Sequence, residues 1–248
     1  MITISWYAKP SGPYSYSSTE GRANITEMNG LFNSYNFTIE SQAGILGNVY
    51  NESGLNPWRW QNDTYSRSLG YGLFQFTPAY SMNGHIGYVD TCQDLAGYGP
   101  NLSTSSTTSG ARPEDGWAQC IAMVTDRLAK WQTFCWRDYW DRTTYAALWE
   151  IRRRIVTTYG DGSSLTLAQF KTIDDIYDAV FAFLACYEGP ASPAGYYQRC
   201  TDAAEIYQYL TGDTPPDPPG PGPGPTPAHS NRMKIMFYLK PKWKRGLI

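Results

Sequence analysis

Histidine is what this chain has least of: two in 248 residues, His85 and His229. There is no HExxH pattern and no His-rich set, so a catalytic zinc is not expected. His85 precedes every cysteine, and His229 lies beyond a Pro/Gly spacer. A Cys–His amidase and a serine triad therefore both lack their base. No GxSxG elbow occurs, and "GYGLFQ" lacks the lysine and the following helix of a phosphate-binding loop. Charge is also sparse, with 17% Asp, Glu, Lys and Arg and a net charge of -2, which does not suit a nucleic-acid partner. No apolar run reaches the roughly 18 residues of a membrane span. The N-terminus has no basic region followed by a hydrophobic one, so no secretory signal is expected. The five cysteines are odd in number and show no CxxC spacing, against a zinc knot or a full disulfide framework. Cys186 and Cys200, on neighbouring predicted helices, form the one candidate pair, with reduced buried thiols as the plainer alternative. No metal and no cofactor are implied.

Aromatic and polar chemistry is what remains. The chain carries 20 Tyr, 9 Trp and 9 Phe, and 42% of it is hydrophobic, enough for a packed soluble core. Aromatic rings fill cores, and they also stack on the C–H faces of sugars. Residues 1–20 read as an irregular lead-in, followed by a helix around "EGRANITEMNGLFNSY" and a second that ends at Glu52. From Leu55 to Tyr80 the period changes, and Gly70 and Gly72 beside "LFQF" read as a short strand or hairpin. Residues 83–112 are a polar loop. After Pro113, the spacing of Trp117, Ile121, Val124, Leu128 and Trp131 predicts an amphipathic helix. Further helices are expected over about 139–158, 167–171, 173–188 and 194–210. The arrangement is α+β, predominantly α-helical with a small β-hairpin element. Residues 1–212 form the domain. Asp213 to Pro227 is a Pro/Gly-rich linker, and residues 228–248 are a basic, aromatic tail.

In "GNVYNESGLNP" a lone carboxylate ends an apolar run. Thr38 is the expected N-cap, Ile45 and Val49 mark the buried face, and Glu52 continues it. Gly54 and Pro57 supply the stop. Desolvation and the negative end of the helix dipole both act against the charged form there, which is the condition of a general acid.

"GILGNVYNESGLNP" followed by "GYGLFQFTP" resembles the phage tail-type lysozymes, within the lysozyme and lytic transglycosylase superfamily. The later "AFLACYEGP" resembles that family's final core helices, extending the likeness over roughly residues 20–211. The resemblance implies a lysozyme-like fold in which Glu52 is the catalytic acid at the floor of a glycan cleft. Glycosidases usually add a second carboxylate, about 5–5.5 Å away when retaining or roughly 6.5–9.5 Å when inverting. Asp63, in "QNDTYSR", is the first candidate, with Asp90 and Asp94 behind it. Gln75 would hydrogen-bond substrate and Ser53 would orient Glu52 or touch substrate. Tyr71, Tyr80, Trp58 and Trp60 are candidate sugar-stacking walls. Glu188 is expected to be structural, paired with a base such as Arg199.

The resulting expectation is a muramidase that cleaves the MurNAc–GlcNAc bond of peptidoglycan, carried on a phage tail tip. The tail at 228–248 would tether it to another tail protein or to the envelope. The alternatives are a lytic transglycosylase using the same glutamate, a non-catalytic glycan-binding or tail structural module, and a lysis protein released from the host cytoplasm.

Overall fold

The computed structural model describes residues 6–64, 66, 68–77, 114–126, 129–132 and 140–219. Seven α-helices are described: α1 (Thr19–Ser34), α2 (Ile39–Ser53), α3 (Glu114–Val124), α4 (Ala146–Thr158), α5 (Leu167–Phe170), α6 (Ile176–Phe183) and α7 (Tyr196–Thr211). None of them is long and apolar enough to cross a membrane.

α2 is the axis of the domain. Thr38 caps it by accepting from Ser41 N at 3.2 Å, with Glu40 in the first turn, where a carboxylate complements the dipole. Every residue from Ser41 to Val49 is buried, because α6 and α7 both lie against this helix. Two glycines permit that approach. A Cβ at Gly44 would lie 2.6 Å from Ala179 Cβ of α6, and one at Gly47 would lie 2.7 Å from both Ala203 Cβ and Arg199 O of α7. "GILG" is therefore a two-sided packing notch. Asn48 spans both neighbours: its Nδ2 donates to Gly44 O and to Val180 O of α6, while its Oδ1 accepts from Arg199 of α7.

Gly54 ends α2 in the left-handed region at φ 59, where its N–H reaches Tyr50 O at 2.8 Å. A side chain is excluded there twice over, since a Cβ would sit 2.1 Å from Pro13 Cβ. Pro13 belongs to an N-terminal segment that crosses the end of the helix, with Tyr14 N donating to Gly54 O at 2.8 Å. Two fully buried asparagines hold the segment. Asn24 Oδ1 accepts from Tyr7 N, and its Nδ2 donates to the Tyr7 and Leu55 carbonyls. Asn56 does the same for Lys9 N, Lys9 O and Gly12 O. Backbone groups of a strandless segment are thus satisfied by side chains.

α6 starts at Asp175, whose carboxylate accepts from Tyr177 N and Asp178 N, and runs into a π turn over Leu184–Glu188 that closes at Gly189. Asp178, buried on α6, takes a two-point hydrogen bond from Arg154 of α4.

Several expectations change. The β-hairpin is not present among the described residues: the segment holds two isolated antiparallel bridges, Trp60–Tyr71 and Tyr71–Phe76. Gly72 at φ 80 and Gln75 at φ 46 fold 72–75 into a tight turn, and no extended run is left. The helix expected to reach Trp131 stops at Val124. Asp126 turns left-handed and its carboxylate accepts from Lys130 N and Trp131 N, an alternative to helical bonds. The helix expected from Tyr139 begins at Ala146, since Asp141 organises a turn through Thr143 and Thr144. The Cys186–Cys200 pair does not form. Cys186 is disulfide-bonded, so it is not reduced either, while Cys200 is a free buried thiol pushed up to about 12 by burial.

Candidate functional site

Glu52 occupies the last turn of α2 and remains partly exposed, its side chain 23% accessible. Its nearest partner is Arg199 of α7. The Arg199 Nη2 donates to Glu52 Oε1 at 2.6 Å, and Nη1 donates to the carbonyl and side-chain oxygens of Asn48, one turn earlier on α2. The guanidinium is thus plugged into the face of α2 that leads to Glu52. Arg199 Nε is buried with no acceptor among the described residues. The expected lone, desolvated carboxyl is instead one half of an ion pair, and Arg199 is not a partner of Glu188, which ends the π turn.

The pairing has a geometric consequence. With Oε1 accepting from the guanidinium, a neutral Glu52 would carry its proton on Oε2, and no described residue bonds that oxygen. One oxygen is anchored and the other is left to act.

A second tie runs beside the first. Asn51 Nδ2 donates to Asp202 Oδ2 of α7 at 2.6 Å, and Gln198 Nε2 donates to Oδ1 at 3.2 Å. Burial chiefly, opposed by these hydrogen bonds, raises the Asp202 carboxyl above its ordinary value. In the window between that value and the raised one, the folded chain binds more protons than the unfolded chain at this site. Stability therefore falls as pH rises through the folded value. Asp202→Asn is expected to remove this share of the slope, read by urea denaturation of both chains across the acid range; an unchanged slope would show that Asp202 titrates as in the unfolded chain.

The other sequence candidates are placed as follows. Asp63 is turned toward the N-terminal segment, accepting from Gly12 N at 2.8 Å and lying 3.5 Å from Arg59 Nε, and no bond joins it to Glu52. Ser53 is fully buried and gives its hydroxyl to Val49 O, so it faces back along α2 rather than toward Glu52 or a substrate. Gln75 is in a turn, not a strand, and its Nε2 donates to Arg59 O and Gly72 O, which ties the turn shut. Trp58, Trp60 and Tyr71 are core residues at 6%, 0% and 4% exposure, which leaves no ring face for a sugar. Tyr80, His85, Asp90 and Asp94 lie outside the described residues. No group of three or more potential metal ligands occurs among the described residues.

Four contributors escaped sequence reasoning. Gln119 of α3 is buried between the two motif halves, accepting from Leu73 N at 2.7 Å and donating to Pro57 O at 2.8 Å. A lone amide inside the apolar "WAQCIAMV" was its signal. Arg199 was read as a base for Glu188, not as the partner of Glu52. Tyr50, two residues before Glu52, meets Tyr16 edge-on at 5.2 Å, and both rings are partly exposed. These are part-exposed aromatic faces that the sequence pattern did not single out.

A helical domain built on a glycine-notched central helix, with a part-exposed carboxylate on its last turn and a compact aromatic turn beyond, has the layout of a lysozyme-like protein. Sequence comparison agrees: residues 23–210 match the phage tail lysozyme family, and the chain belongs to it. Among curated proteins it is 27% identical, over 178 residues, to morphogenesis protein 1 of Bacillus phage B103. That match takes in 71% of this chain and spans 36% of the relative's length.

Proposed function

We propose that this chain is a peptidoglycan-cleaving enzyme of the muramidase type, acting from a phage tail on the host cell wall, with Glu52 as its general acid. The observation that carries the proposal is the setting of Glu52, part-exposed on the last turn of the buried helix α2 and held at one oxygen by Arg199. It fixes one carboxyl oxygen and leaves the other for proton transfer to a glycosidic oxygen, a role worth about 10²–10⁴ in rate. The basic tail at 228–248 would add a contact to a tail protein or to the envelope.

The second half of the reaction separates two readings. In a hydrolase, water attacks the sugar carbon, and in retaining or inverting enzymes a second carboxylate assists. Asp63 is already engaged by Gly12 N and Arg59. The second reading is a glutamate-only mechanism, in which the substrate's own hydroxyl closes a 1,6-anhydro ring, as in lytic transglycosylases; the engagement of Asp63 bears on it, while Asp90 and Asp94 lie outside the described residues. Mass spectrometry of fragments released from purified peptidoglycan decides. Reducing-end muramic acid means hydrolysis, anhydro ends mean transglycosylation, and both are expected to disappear in Glu52→Gln. No release by the unaltered chain would leave a binding or structural module.

A further inference from the structure

Asn48 lies one turn before Glu52 on α2 and is fully buried. Its amide has no freedom. Nδ2 donates to Gly44 O at 2.8 Å and to Val180 O at 3.2 Å, so two carbonyls fix which end of the amide is the donor and turn Oδ1 toward α7. There Oδ1 and the Asn48 carbonyl both accept from Arg199 Nη1, each at 3.1 Å. Arg199 meets Glu52 only through its other terminal nitrogen, Nη2, and only at Oε1.

Arginine–carboxylate pairs are frequently two-point, with parallel N–H donors on both oxygens. Two such forks exist on the guanidinium, and neither is used. The end-on fork needs Nη1, which two oxygens of Asn48 already occupy. The side-on fork needs Nε, which is buried with no acceptor among the described residues and lies 3.6 Å from where a Cβ on Gly195 would stand. A buried donor left unpaired costs free energy, and a turn of the guanidinium toward Glu52 would relieve it. The hold of Asn48 on Nη1 opposes that turn.

We propose that Asn48 is a positioning residue for glycan cleavage: by holding Arg199 Nη1 it limits the guanidinium to one oxygen of Glu52 and keeps Oε2 open to carry and deliver the proton. The inference rests on Glu52 being the general acid. A two-point pair would occupy the oxygen that the proton needs.

The test is the kinetics of cleavage of soluble peptidoglycan fragments by the full chain and by its Asn48→Leu and Asn48→Ser variants. Leucine keeps the bulk of the side chain, and a serine hydroxyl can bond back to the Gly44 carbonyl, so an effect shared by both reports the lost acceptor for Arg199 and not the packing. In both, kcat is expected to fall about tenfold or more, part of what a general acid contributes, while KM changes by less than about twofold. Urea denaturation supplies a readout that a structural role would not move. The coupling between positions 52 and 199, from Glu52→Gln, Arg199→Met and the two combined, should be larger in the Asn48→Ser background, because a two-point pair replaces a one-point contact. An unchanged kcat in both Asn48 variants, or an unchanged coupling, would overturn the inference while cleavage lost in Glu52→Gln still upheld the acid. Cleavage that survives in Glu52→Gln would overturn the acid itself, and the role of Asn48 with it.

Discussion

Gly47→Leu is expected to destabilise the domain by about 3 kcal/mol or more and to abolish its native fold at moderate temperature. Overpacking a core commonly costs about 1–3 kcal/mol, and the cost rises when nothing can yield. At Gly47 the obstruction is largely backbone: Arg199 O at 2.7 Å and Ala203 N at 3.0 Å from the position of an added Cβ. Relief would require α7 to move away from α2, taking Arg199 with it and breaking the contact to Glu52. A typical domain has only about 5–15 kcal/mol to lose. Gly30→Ala is the control of opposite sign. It lies within α1 with nothing within 4 Å of an added Cβ, so alanine should add about 0.5–1 kcal/mol through helix propensity. Urea denaturation of the three chains measures both effects. A Gly47→Leu chain as stable as the parent would mean that α7 is not held against α2 as the structure shows.

The contrast between these two glycines also marks what was legible in the sequence. Starts and stops of helices were readable where one side chain acts on its own backbone, as with Thr38 before α2 and Gly54 after it. They were misread where an aspartate redirected the chain. Asp126 and Asp141 bond backbone groups two to five residues on, and an apolar spacing that looked helical through Trp131 did not overrule them. The β element failed for a similar reason, since Gly72 and Gln75 take positive φ and close a turn. The position of Glu52 on the buried face of its helix was readable from periodicity alone. Its partner was not, because Arg199 lies 147 residues away and nothing local points to it. The same limit applies to the rings. Tyr and Trp have the same composition signal in a core as beside a sugar, and only the fold placed Trp58, Trp60 and Tyr71 inside while leaving Tyr16 and Tyr50 partly open.

Glu52→Gln is expected to lower glycan cleavage by about 10²–10⁴, since an amide can accept from Arg199 but has no acidic proton to give. The effect on stability is the more discriminating result. A carboxylate alone at an apolar helix end would be a burden, and its replacement by glutamine would stabilise the fold. The ion pair reverses that sign. Arg199 is buried to 11% side-chain exposure and Glu52 to 23%, so removing the carboxylate leaves a cation with one neutral acceptor in its place. Breaking a fully buried pair costs about 3–5 kcal/mol; partial exposure and the retained hydrogen bond reduce the expected loss to about 1–2 kcal/mol. Glu52→Gln should therefore melt below the parent. Combining it with Arg199→Met should cost less than the sum of the two single changes, because both members of the pair are then gone, while cleavage stays lost. If Glu52→Gln instead melted above the parent, Arg199 would not be holding the carboxylate, and the geometry that leaves Oε2 to carry the proton would have no anchor.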